Sequence, residues 1–123
     1  MDSYNSFSGF LRQRKEQARR ATQEAVRKQS SLKGLETVFL KYGVLRAYVF
    51  GSVIRNSCRV DSDIDLYVEG VAPESYWDLW KEIEGYTREH IDLYCDRDNY
   101  RFIEKIKERG ELIYEARSRF TQG

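Results

Sequence analysis

The chain has 123 residues, a net charge of +1 and 33% charged residues. That length suits one domain with a core of modest size, and the near-neutral balance gives no global case for nucleic-acid binding. No apolar run approaches a membrane span, no signal-peptide pattern opens the chain, and Cys58 and Cys95 have neither metal-ligand spacing nor a CxxC, so a cytoplasmic protein with reduced thiols is expected.

Residues 1–30 read as a basic N-terminal helical arm. Ser3, Asn5 and Ser6 offer N-caps. From Phe7 to Lys28 there is no proline, and Phe7, Leu11, Ala18, Ala21 and Ala25 recur at helical spacing, with Arg14 breaking the stripe. Arg12, Arg14, Lys15, Arg19, Arg20, Arg27 and Lys28 outnumber Glu16 and Glu24. Such a segment is either a solvated helix packed loosely on its domain or an arm for a partner protein or RNA. The sequence leaves both open.

Ser30 or Ser31 is expected to cap a second helix that buries Leu35, Val38, Phe39 and Tyr42 and ends at Gly43. A strand follows over 45–50, then a short helix from Ser52 to about Asn56, then a strand over 64–69. Gly70 breaks the chain, and Pro73 suits the first turn of a helix. That helix carries Tyr76, Trp77, Trp80 and Ile83, a stripe expected to be core rather than an adenine platform. A third strand spans 90–95. A last helix places Phe102, Ile103 and Ile106 on one face and ends near Gly110, and 111–115 is a short apolar segment. This order gives an α+β domain: a small mixed sheet with helices packed on one face, over residues 31–116, with 117–123 as a tail.

The chemistry is concentrated between Val49 and Val68. Gly51 permits close backbone approach to a ligand. Ser52 adds a hydroxyl, and a helix starting there presents free N–H groups to an anion. Asp63 and Asp65 are two apart and share one face of a strand, with Ile64, Leu66 and Val68 on the other. Two like charges side by side repel, more so when buried, and a cation resolves the repulsion. In Glu89–Cys95, Ile91, Leu93 and Cys95 alternate with His90, Asp92 and Tyr94. If this strand pairs beside the first with matching pleat, Asp92 joins Asp63 and Asp65 as the carboxylate set that two-metal phosphoryl transfer uses. His90 is expected to be a surface histidine rather than a ligand. Arg55, one helical turn after Ser52, either reaches phosphate or forms an ion pair.

Gly51-Ser52, ten residues, then Asp63-Ile64-Asp65 resembles the nucleotidyltransferase signature of the DNA polymerase beta superfamily. The local text is most similar to the minimal nucleotidyltransferase (MNT) branch, many of whose members are antitoxins of HEPN-domain ribonuclease toxins. The resemblance spans roughly residues 35–115. The family often reads Gly-Ser-x-Ala-Arg-Gly; here Arg55 matches and Asn56 replaces the last glycine, a residue that tolerates a left-handed backbone.

The resemblance implies a polymerase beta-like palm and a transferase that moves AMP from ATP, with Mg²⁺, two ions by family analogy. Gly51, Ser52 and Arg55 would contact the nucleotide. Asp63, Asp65 and Asp92 would be the catalytic and metal-binding residues. The implied acceptor is a tyrosine on a HEPN toxin partner. Two other readings remain: a nucleotidyltransferase with a small-molecule acceptor such as an antibiotic, and a non-catalytic antitoxin acting by occlusion. Neither membrane nor nucleic acid is expected as a direct partner, and homo-oligomerisation stays open.

Overall fold

The computed structural model describes residues 3–51 and 63–117. In chain order these form α1 (Ser3–Ser31), α2 (Glu36–Lys41), β1 (Arg46–Phe50), β2 (Ile64–Glu69), α3 (Tyr76–Thr87), β3 (Ile91–Cys95), α4 (Tyr100–Arg109) and β4 (Glu111–Glu115). The sheet order is β3-β2-β1-β4. β1 runs antiparallel to both β2 and β4, and β2 runs parallel to β3. The parallel pair requires a crossover, and α3 supplies it. Among the described residues no helix is long and apolar enough to cross a membrane.

Period-two alternation sorts the sheet residues onto two faces. Ala47, Val49, Ile64, Leu66, Val68, Ile91, Leu93 and Cys95 form the main core with Leu35, Val38, Phe39, Leu79 and Ile83. These helical residues come from α2, its entry turn and α3. On the opposite face, Tyr67 packs with Ile103 and Ile106 of α4, flanked by Tyr48, Phe50 and Tyr94. The helices therefore do not all share one face. The rings of these tyrosines give α4 an apolar seat. Burial of Ile103 and Ile106 contributes about 1.5–3 kcal/mol each.

Several boundaries differ from expectation. The first helix continues to Ser31, so the serines end it rather than cap the next one. α2 begins at Glu36, after Leu35, and has no side-chain cap. Gly43 does take a left-handed conformation, φ 70°, just past the helix end. Pro73 opens a 3-10 turn, Pro73–Ser75, leading into α3. In α3, Ile83 is buried and Tyr76 and Trp80 pack half-buried against the core. Trp77 points outward, 65% exposed, and Leu79 is buried instead. The apolar segment 111–115 is the strand β4.

Among the described side chains of α1, those that enter the core lie at its C-terminal end. Ala25 and Lys28 are fully buried, and Arg27 forms ion pairs with Glu24 and with Glu89. From Leu11 to Arg20 every residue but Glu16 is exposed.

β3 lies at an edge of the sheet, and side chains close that edge. Ile91 N–H donates to Glu84 Oε2 at 2.9 Å, and Trp80 Nε1 donates to the Ile91 carbonyl at 2.8 Å. Tyr76 hydroxyl donates to the Leu93 carbonyl. Cys95 N–H donates to Asp98 Oδ2 at 2.8 Å, and the Cys95 carbonyl accepts from Asp98 N–H at 3.0 Å. Backbone groups that would otherwise recruit a further strand are thereby satisfied.

Candidate active site

β2 and β3 set the site. Their register places Asp65 directly opposite Asp92, and Phe50 of β1 lies opposite Asp65 on the other side. Asp63 immediately precedes β2 and is exposed, while Asp65 and Asp92 are half-buried. The Ile64 N–H donates to the His90 carbonyl at 2.8 Å, which fixes the register where the carboxylates meet. His90 itself precedes β3 and is exposed.

Gly51 terminates β1 with φ 80°. A Cβ there would lie 2.4 Å from Asp65 Oδ2, so a side chain at 51 would push the Asp65 carboxylate aside, and the positive φ disfavours one independently. Ser52 and Arg55 lie outside the described residues, as does the short helix expected over 52–56.

The electrostatics are those of crowded negative charge. Burial raises the Asp92 carboxyl above its ordinary value, and the charge of Asp63, a hydrogen bond with Asp63 and the charge of Glu84 raise it further. Burial followed by Asp65 and Asp92 raises the Tyr94 phenol. A neighbouring anion opposes ionisation, and a cation at the same place would reverse that effect. Among the described residues no three Asp, Glu, His or Cys side chains converge as a closed metal cluster. Mg²⁺ is usually held by one or two carboxylates, with water and substrate phosphates completing its shell. Asp63 raises the Asp92 carboxyl, and Asp65 stands opposite Asp92 in register, so the donors present fit a shell of one or two carboxylates completed by water and phosphate and do not fit an all-protein cage.

An aromatic wall adjoins the carboxylates on the same sheet face. The rings of Phe50 and Tyr94 are 5.5 Å apart, those of Tyr94 and Phe102 5.2 Å, and those of Phe50 and Phe102 5.9 Å. This wall was missed in the sequence. Its signal is the alternation that placed Asp92, because Tyr94 is two residues further on the same strand. Two clefts, about 260 and 470 Å³, flank β4. Asp63, Asp65 and Asp92 line neither.

The fold, a four-stranded mixed sheet carried by β2–α3–β3, is that of the polymerase beta-like nucleotidyltransferases. The chain belongs to the polymerase beta nucleotidyltransferase family, whose model matches residues 33–119. It is 39% identical over 59 residues to MJ0435 of Methanocaldococcus jannaschii, a protein named for protein adenylyltransferase activity. That match covers 46% of this chain and 63% of the relative, so the chain spans less than two thirds of the relative's length. A structure described as a minimal nucleotidyltransferase superposes with a TM-score of 0.55 at 28% identity, over 69% of this chain and 87% of the other. A chain from the complex of a tri-AMPylated Shewanella oneidensis HEPN toxin with an MNT antitoxin superposes with a TM-score of 0.54 at 17% identity, over 72% of this chain and 73% of the other. That last likeness concerns the fold alone.

Proposed function

We propose that this protein is a Mg²⁺-dependent nucleotidyltransferase that moves AMP from ATP onto a tyrosine hydroxyl of a partner protein, a HEPN-domain toxin, and so acts as its antitoxin. The observation that carries the reading is the pairing of Asp65 with Asp92 in one register, with Gly51 turned against Asp65. Family membership supports the reaction class, and the adenylyltransferase relative supports a protein acceptor.

In this reading Gly51 and Ser52 hold the triphosphate, and Arg55 contacts it. Asp63, Asp65 and Asp92 hold Mg²⁺, which when bound offsets charge on the attacking and leaving oxygens. The tyrosine oxygen attacks the α-phosphorus, a new P–O bond forms, and the bond to the β-phosphate oxygen breaks to release pyrophosphate. The hydroxyl proton passes to the carboxylate of Asp92. The half-burial of Asp92 excludes bulk water from one side of the carboxylate. The test is incubation with ATP labelled at the α-phosphate, MgCl₂ and a HEPN-domain toxin. Label on a toxin tyrosine supports the proposal. Toxin that is neutralised but unlabelled would instead establish occlusion without chemistry.

A further inference from the structure

We propose that Phe102 is the stacking platform for the nucleobase of the bound nucleotide, and that the site consequently takes nucleoside triphosphates with little discrimination among bases. The inference rests on the nucleotidyltransferase reading and extends it to a residue outside the carboxylate motif. Phe102 sits in the first turn of α4, held by Asn99, whose Oδ1 accepts from Arg101 N–H at 2.9 Å and from Phe102 N–H at 3.4 Å. α4 crosses the carboxylate-bearing face of the sheet and buries Ile103 and Ile106 against Tyr67. Its next ring toward the open end is Phe102, which meets Phe50 at 79° and Tyr94 at 67°, both edge contacts.

Neither partner stacks face to face on Phe102, which remains 37% exposed. Its two ring partners border the carboxylates. Phe50 is opposite Asp65 in register, and Tyr94 is two residues from Asp92 on the same face. Residues one pleat repeat apart lie about 7 Å apart, and the Phe102 ring is 5.2 Å from that of Tyr94; a ribose and its base together cover that reach. The ring is also braced. Packing against Phe50 and Tyr94 limits its rotation, so little entropy is lost when a base stacks on it. A π-face reads no donor or acceptor pattern, so base selection is weak.

The experiment is isothermal titration of the full chain in MgCl₂ with two probes, ATP and inorganic triphosphate. Phe102→Leu keeps an apolar side chain against Phe50 and Tyr94 but removes the ring, and its melting curve verifies folding. The expected result is a roughly tenfold loss in ATP affinity, about 1.4 kcal/mol, with triphosphate affinity unchanged. Phe102→Trp should restore ATP binding, and GTP and CTP should follow ATP in both variants. ATP binding by folded Phe102→Leu equal to wild type overturns the inference, as does an equal loss for both probes. Wild-type protein that binds neither probe overturns the nucleotidyltransferase reading itself, a separate result from failure at Phe102 alone.

Discussion

Gly51 faces the Asp65 carboxylate across the end of the β1–β2 pair: an added Cβ on Gly51 would stand 2.4 Å from Asp65 Oδ2. The glycine's φ of 80° is also the left-handed region that L-residues avoid. Gly51→Ala is therefore opposed twice. Backbone strain costs about 1–2 kcal/mol, and the new methyl displaces the carboxylate from its place. The expected outcome is a folded protein with a lowered melting temperature and little transferase activity. Unchanged activity would show that the close approach is incidental.

Asp92→Asn should separate chemistry from stability. Asp92 is half-buried beside Asp63 and within the field of Glu84, which together with burial raises its carboxyl. A neutral amide relieves that repulsion, so without Mg²⁺ the variant should melt no lower than wild type. Label transfer should fall by roughly 100-fold or more, the usual scale for loss of a positioned acid–base group. Near-normal transfer would remove Asp92 from the mechanism.

Glu69 gives the clearest pH signature. Burial opposes its ionisation, but Lys107, the Tyr67 hydroxyl and Arg46 outweigh that and hold its carboxyl below the ordinary value of 4.5. A folded value below the unfolded one means that the stabilisation is full above the unfolded value. It is lost as pH falls through the folded one. Wild type should thus exceed Glu69→Gln in melting temperature at pH 7 and lose that advantage below the ordinary carboxylate range. A gap that is the same at pH 7 and in strong acid would assign the effect to packing.

The N-terminal helix should tolerate shortening up to a definite point. Residues 11–20 are exposed apart from Glu16, whereas Ala25 and Lys28 are fully buried and Arg27 pairs with Glu89. We propose that removal of residues 1–20 leaves the domain folded and able to bind ATP. Removal of residues 1–29 should lower the melting temperature clearly, because it opens the core above α3 and β3. Equal melting curves for the two truncations would make the arm an appendage along its whole length.

The sheet and the carboxylates were legible because both obey period two. Alternation in 64–69 and 91–95 assigned the faces, and one assumed register brought Asp65 beside Asp92. The family signature added Gly51. The position of α4 was not legible. Tyr48, Tyr67 and Tyr94 can face water or a helix, and only the packing of Ile103 and Ile106 decides which. The depth to which α1 joins the core was hidden for a related reason. Ala25 is small, Lys28 is charged, and neither announces burial. The stripe in α3 departs from the core at Trp77 alone, because one turn of helix offers both Trp77 and Leu79 and the smaller side chain fits beneath.

The closure of β3 by Trp80, Tyr76, Glu84 and Asp98 governs how this molecule can be enlarged. A protein whose sheet is sealed on one margin grows in one direction only. Here the sealed margin is the strand that carries Asp92, and the opposite margin is β4, on the far side of β1. β4 is the other edge of the sheet, two strands away from β2 and its carboxylates. Under the proposed reaction, a strand added at β4 and an acceptor hydroxyl brought to Asp92 would occupy opposite flanks of the sheet.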